Sequence, residues 1–446
     1  RQSRGRRHPV AAGGRLMARR GGLRERLAGL SSARSAGTAA GSHPLSPVAA
    51  ERQAGVAVRE QVLPLDCRRW LPELRAADPR GARLVSNFKF EISNVSDWIF
   101  LDVETTGLAG GTGTYAFLVG LGWLAPEGFC VRQYFLRDLA AERELLQQLA
   151  TALEGDRLLV TYNGKLFDAP LLDTRYRLAR RPSALEELPH LDLLYPARRL
   201  WKPRVGTARL AELERGLLGH EREDDVSGEL IPRLYFDFLR RGNERRLEAV
   251  FRHNADDLLT LAALAARLLT LAASPEEVHE DSVELVGLAR LFEHADEPER
   301  AAALYEQALA PPMEGQADHL PAESARAARL RLSFLYKRRR DYEGAATLWQ
   351  ELSDGRSPTD RIALIALEQL AICYEHRLRD PQAAAEAAQA ALLQINPAAG
   401  AAGLNVKGWR RAQQRFARRL RRLARKIPCL CADKSVCATE GQSILG

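Results

Sequence analysis

Three short segments of this chain place acids and a histidine at spacings that suit a divalent cation. The first is Asp102-Val103-Glu104, which closes the apolar run Trp98–Val103. That run reads as a buried strand. Residues i and i+2 of a strand project to the same face, so both carboxylates are placed to ligate one cation. Oxygen donors of this kind suit Mg²⁺ or Mn²⁺. An Asp-x-Glu pair alone is weak; its force here is that acids ending a strand buried on both faces need compensation. The second segment, Tyr162-Asn163-Gly164-Lys165-Leu166-Phe167-Asp168, leaves a strand, turns at the glycine and starts a helix near Asp168. Asp168 reads either as an N-cap or as a third acid, brought toward Asp102 because the ends of adjacent strands converge. The third is His253-Asn254-Ala255-Asp256-Asp257, inside a helical pattern that continues through Leu258–Leu269. His253 and Asp257 are i and i+4, one turn apart on one face. The alternative for this segment is the solvated head of an apolar helix, and Asp256 suits that alternative.

The elements that must position these groups follow from periodicity. Trp98–Val103, Tyr115–Ala125 and Phe129–Leu136 read as three strands whose short links predict antiparallel pairing. Then come a helix at about 140–154, a strand Arg157–Tyr162, a helix at about 168–180, a short strand His190–Leu194, and helices at about 207–217 and 244–272. The order βββαβαβα predicts an α/β domain over 96–272, with a mixed sheet flanked by helices. Residues 1–60 read as a disordered basic tail and 61–95 as a linker. Beyond Ser282 the pattern changes to Ala/Leu-rich helical hairpins. Small and aromatic residues recur in three units, with Tyr305, Tyr336 and Trp349 among them. That spacing predicts tetratricopeptide-like helical repeats over 282–400, with longer intervals than usual, and a generic helical bundle is the alternative. Residues 401–446 read as a basic helix and tail.

Charge is unevenly spread. Residues 1–24 hold eight Arg and 409–426 hold nine Lys/Arg, with no acid in either, so the other 404 residues carry −9 of the net +8. Basic termini bind polyanions or are simply solvated. The helix over Trp409–Ile427 has an apolar stripe with arginines elsewhere. It reads equally as a nucleic-acid contact and as a cap on the repeats. No run reaches the roughly 20 apolar residues of a membrane span, and no secretory signal is visible. Six cysteines without a paired framework suit a reducing compartment, so the expected location is cytoplasmic. Cys429, Cys431 and Cys437 cluster without a fourth zinc ligand. The chain opens on Arg1 and its first methionine is Met17, so residues 1–16 are expected to be a fragment end or upstream read-through; the acid-poor, Arg/Ser-rich start also matches an organellar transit peptide in composition, the lower-ranked alternative.

Taken together, Asp-x-Glu on the first strand, Asn-Gly-x-x-Phe-Asp after the fourth and His-Asn-x-x-Asp on a late helix resemble the ordered signature of the DEDD (DnaQ-like) 3′–5′ exonuclease superfamily. The run Phe100–Gly120, which contains Leu-Asp-Val-Glu-Thr-Thr-Gly-Leu-Ala-Gly-Gly-Thr-Gly-Thr-Tyr, resembles YprB-type ribonuclease-H-like proteins more closely. The resemblance covers 96–272 firmly and the helical tail loosely. It implies a ribonuclease-H-like fold and a hydrolase acting on DNA or RNA, expected to be a 3′–5′ exonuclease. It also implies that Asp102, Glu104, Asp168 and Asp257 hold two Mg²⁺ or Mn²⁺ ions around the scissile phosphate, with His253 orienting or deprotonating the water. One departure bears on His253: histidine-type members separate His and Asp by four residues, whereas His253-x₃-Asp257 has the spacing of the tyrosine-type branch.

Around these groups, the backbone of a loop containing Gly107, Gly110 and Gly111 can approach a phosphate or merely form turns. Asn163 and Lys165 are placed to touch the substrate backbone, and Asp192 is a spare acid nearby. The repeats would recruit a protein partner or extend the substrate track. Two other readings stand: a non-catalytic nucleic-acid-binding scaffold, and a structure-specific endonuclease on the same fold.

Overall fold

The strands assemble as their lengths and links dictate. A computed structural model of the chain describes residues 55–84, 94–107, 112–275, 281–311, 320–354, 360–395 and 406–427. Six described strands, β1 (Val56–Leu63), β2 (Trp98–Thr105), β3 (Ala116–Ala125), β4 (Gly128–Leu136), β5 (Leu158–Thr161) and β6 (His190–Asp192), form one mixed sheet. Its order is β1-β4-β3-β2-β5-β6. The meander β2–β3–β4 is antiparallel, because links this short leave no room for a crossover. β5 and β6 join in parallel on the other side of β2. The C-terminal ends of β2 and β5 therefore open on the same edge of the sheet.

β1 is where structure and sequence reading part. Its first residues fall in the stretch read as a tail and its last in the linker, yet it pairs with β4 from Val56 opposite Leu136 to Leu63 opposite Phe129. The pairing supplies the backbone partners that the edge of β4 would otherwise lack. Side chains reinforce it: Arg132 donates to Glu60 directly across the ladder at 2.6 Å, and the Arg59 guanidinium lies 3.8 Å from the centre of the Phe251 ring. An exposed strand of mixed polarity leaves no clear alternation, which is why it was missed. Residues 1–54, most of the basic tail, lie outside the described residues, as do Cys429, Cys431 and Cys437.

The helices flanking the sheet are α1 (Glu142–Ala152), α2 (Asp168–Leu178), α3 (Leu194–Leu200), α4 (Ile231–Arg241) and α5 (Glu248–Ala273). The helix expected near 207–217 is a short turn, Leu210–Leu213, running into a wider one at Glu214–Leu218; α4 was not anticipated. β2 sorts its side chains by parity. Ile99, Leu101 and Val103 enter a core with Leu145, Leu172 and Tyr235. Trp98 and Phe100 enter the opposite core, with Leu258 and Leu261 of α5. Asp102 and Glu104 continue the second series and so face α5.

Beyond the sheet, helical hairpins stack in order: α6 (Ser282–His294) with α7 (Pro298–Leu309), α8 (Ala322–Arg338) with α9 (Tyr342–Leu352), and α10 (Arg361–Cys373) with α11 (Pro381–Gln394), followed by α12 (Val406–Ala424). Of the aromatics that the sequence singled out, Tyr305 and Trp349 are fully buried and Tyr336 is half-buried; Phe292 is fully buried as well. The stack is fastened to the sheet domain at α6. Glu284 accepts from the Trp201 indole at 2.8 Å and from Arg267 at 2.6 Å. Beside it, a Cβ on Gly287 would stand 2.6 Å from the Arg199 carbonyl oxygen and 2.8 Å from the Leu200 Cα. Only glycine lets α6 press its backbone against the end of α3. Gly287→Ala is therefore expected to cost about 1–3 kcal/mol through forced separation of the two helices, measurable as a lower denaturation midpoint with an unchanged slope.

Candidate active site

Asp102 and Glu104 stand at the C-terminal end of β2, facing α5, and Asp168 opens α2 just beyond β5. The helix at Asp168 is preceded by Phe167 and has no side-chain cap, so Asp168 is not spent as an N-cap. Neither Glu104 nor Asp168 has a hydrogen-bond partner among the described residues. The first turns of α5 add His253 and Asp257. The His253 Nε2 lies 3.9 Å from Glu104 Oε1 and 3.7 Å from Asp257 Oδ2. Asp256 turns the other way and pairs with Arg68, so adjacent acids on one helix serve opposite sides.

A buried polar chain fixes Asp102. Asn254 is fully buried, and its Nδ2 donates to Asp102 Oδ2 at 2.7 Å. Its Oδ1 accepts from Gln133 Nε2 at 2.8 Å, and Gln133 also donates to the Phe251 carbonyl at 2.8 Å. Gly120 on β3 makes the space: a Cβ there would lie 2.2 Å from Asn254 Oδ1. The signal for Gln133 was present in the sequence as the one amide in the apolar run of β4; Asn254 was visible only as the neighbour of His253.

A second layer comes from the irregular segment after Gly219. Arg222, with a side chain 6% exposed, donates to Asp257 Oδ1 at 2.6 Å and to Glu214 at 2.6 Å. Asp225 accepts from His253 Nδ1 at 2.7 Å. That carboxylate contact is closer than the Arg222 guanidinium, 3.4 Å from the same nitrogen, so it favours a proton on Nδ1 and leaves Nε2 turned toward Glu104 and Asp257. Sequence reasoning missed both, because this polar stretch has no periodicity to place it.

The carboxylates burden one another. Burial raises Asp102 and Glu104 well above the usual carboxylate range, and the neighbouring acids add to it, Asp257 and Asp168 for Asp102 and Asp102 first for Glu104. The Asn254 bond and His253 oppose the rise at Asp102. Asp168 is pushed to about 7 by burial, then by Asp192 and Asp257. Burial by itself would lower His253, but Asp257 and Asp225 outweigh it and the imidazole is raised. Among the described residues no three His, Cys, Asp or Glu side chains already converge on one coordination point. Arg222 and Asn254 each hold one oxygen, of Asp257 and Asp102 respectively.

The secondary residues divide. Asp192 is buried and spends its carboxylate on the backbone: Asn163 N–H and Lys165 N–H donate to it at 2.7 and 3.1 Å, and Leu194 N–H at 3.0 Å. It shapes the turn before Asp168, in which Asn163 takes φ +65° and a Cβ on Gly164 would meet the Thr161 side chain at 2.5 Å. Lys165 is exposed at the lip. Gly107 faces open space, its carbonyl accepting from Thr105 Oγ1 at 3.0 Å. Gly110 and Gly111 lie outside the described residues.

The sheet order and this acid-lined edge match a known class. A family model of the RNase H superfamily matches residues 99–269. The chain is also 34% identical over 300 residues, 67% of its own length and 70% of the other's, to a protein of Bacillus subtilis (strain 168) named "Uncharacterized protein YprB". The chain belongs to the RNase H superfamily, and its likeness to that bacterial protein extends past the matched domain. No described helix is long and apolar enough to cross a membrane.

Two outcomes follow. Asn254→Ala removes the donor that orients Asp102; were Asp102 a metal ligand, loss of such an outer partner would weaken binding about 10–100-fold, which titration calorimetry with Mn²⁺ reads directly. The second concerns pH. Folded Asp168 keeps its proton up to about 7, whereas the unfolded chain releases it near 3.8. The folded state thus binds more protons across that interval, and its stability declines as pH rises through it. Thermal melts of chelator-treated protein should show this decline, and Asp168→Asn should reduce it.

Proposed function

We propose that this protein is a metal-dependent nuclease that hydrolyses phosphodiester bonds from a 3′ end, with Asp102, Glu104, Asp168 and Asp257 as its cation ligands. The observation that carries the reading is Asp168 with Glu104. These are two carboxylates without hydrogen-bond partners among the described residues, raised by burial and by neighbouring acids, on the same sheet edge as Asp102. Such a set is uncomfortable alone and fits a hard divalent cation, whose preferred donors are carboxylate oxygens. Mg²⁺ or Mn²⁺ bound there, two ions in the full site, would supply an activated water and neutralise charge at the scissile phosphate.

The chain's own residues would do the rest. Asn254 holds one Asp102 oxygen and leaves the other for the cation. Asp225 keeps the His253 Nδ1 protonated, so Nε2 is the atom that would accept a proton from the attacking water. Arg222 holds Asp257 in place through one oxygen. The exposed Lys165, with Asn163 and the Gly107 backbone, would steady the nucleic-acid strand at the lip. The stacked hairpins from α6 to α11 are read as tetratricopeptide-like, a surface for a protein partner or a longer substrate track.

The test is to incubate end-labelled linear and circular DNA and RNA with Mg²⁺ or Mn²⁺, beside an Asp102→Ala control. Shortening of linear strands from the 3′ end, lost in the control and on chelation, is expected. Cutting of circles would replace the exonuclease by an endonuclease. Equal inertness of both proteins on every substrate would sink the nuclease reading.

A further inference from the structure

The last described helix, α12, has three differently used sides. One is buried: Phe416 and Leu423, with Ile427 just beyond the helix, are at most 8% exposed and close the end of the helical stack. A second is neutralised. Arg415 pairs with Glu368 at 2.9 Å, and Arg422 and Lys426 pair with Glu375 at 2.5 and 3.4 Å. These contacts account for the capping role and for three of the ten Lys/Arg in residues 406–427. They do not account for the third side.

That side carries Arg411, Arg418 and Arg425 at i, i+7 and i+14, all exposed. Seven residues are two turns, so the guanidinium groups follow one line about 21 Å long. Arg410 is exposed beside them. Residues 406–427 contain no acid. Arg411 and Arg425 have no partner among the described residues, and Arg418 reaches only the Gln414 carbonyl at 3.2 Å. A helix that needs only solubility intersperses acids at i±4, because like charges at those spacings destabilise it. Here the compensating acids, Glu368 and Glu375, contact Arg415, Arg422 and Lys426 but not Arg411, Arg418 or Arg425. The outer row bears its self-repulsion with no return from folding.

We propose that this row docks the phosphate backbone of a single-stranded nucleic acid, as a sequence-independent contact remote in the chain from the carboxylate site. The choice of nucleic acid among polyanions rests on the nuclease reading. A linear row of planar donors, each able to take a phosphate bidentately, fits a flexible polyphosphate chain. Contacts of this kind gain affinity through released counterions and carry a salt signature in proportion to the phosphates engaged.

The experiment uses the full chain carrying Asp102→Ala, so that the probe stays intact. Labelled single-stranded DNA and RNA of about 30 nucleotides are titrated by fluorescence anisotropy from about 50 to about 200 mM KCl, a span over which phosphate contacts are strongly screened. Against this protein stands one that also carries Arg411→Gln, Arg418→Gln and Arg425→Gln. The triple change should lower affinity at least about tenfold at the low-salt end. It should also make the plot of log affinity against log salt shallower by about 2, three phosphates at about 0.7 each. Arg→Lys at the same positions should retain the salt slope, and the melting temperature should be the same throughout. Equal affinity and slope for the Gln variant overturns the proposal. So does a deficit seen only on phosphatidylserine vesicles, which would make the row a membrane contact. If the wild-type chain cuts nothing yet the Gln variant binds more weakly, the nuclease reading fails while the docking row stands.

Discussion

Negative charge gathered at the end of β2 is the constraint around which the sheet domain is arranged. Acids from β2, α2 and α5 gather on one edge of the sheet where water is scarce, and burial together with the neighbouring acids raises Asp102, Glu104 and Asp168. Proteins tolerate such a cluster only with compensation, because an unpaired buried charge costs several kcal/mol. Here it arrives from three directions: an amide chain through Asn254 and Gln133, a guanidinium from Arg222, and the His253–Asp225 pair. Each compensating group takes only part of its partner's oxygens. The cluster is thus held in place without being fully satisfied, as the proposed cation site requires.

Backbone geometry bears the cost of that preparation. Gly120 gives up a side chain in the middle of a central strand, where glycine weakens pairing, so that Asn254 can reach Asp102. Asn163 adopts a left-handed conformation in the turn that Asp192 ties down. Neither choice would be made for packing alone. Both put rigidity close to the carboxylates rather than at the periphery.

Much of this was legible in the chain, for physical reasons. The strands β2 to β5 are short apolar runs with little room for alternatives, and the parity rule alone put Asp102 and Glu104 on one face. The i,i+4 rule favoured Asp257 over Asp256, and in the structure Asp257 lies beside His253 while Asp256 pairs with Arg68. Most of what stayed hidden lacked a period. Arg222 and Asp225 sit in irregular chain, and their partners lie some thirty residues on, at His253 and Asp257. β1 hid because an exposed edge strand owes its existence to a partner's free backbone rather than to its own side chains. α4 was passed over although its apolar residues Ile231, Tyr235 and Phe238 recur at helical spacing.

The glycine contact between α6 and α3 bears on how such a chain is inherited. Trp98 and Phe100 of the sheet belong to the same continuous core as Leu285, Phe292, Tyr305 and Leu332 of the hairpins. The change of composition near Ser282 therefore does not coincide with a break in the packing. Recombination that exchanged the tail for another helical array would have to recreate a side-chain-free spot opposite Arg199 and a buried acid facing Trp201. Sheet and hairpins are therefore expected to diverge together as one heritable unit, unlike domains joined by a free linker.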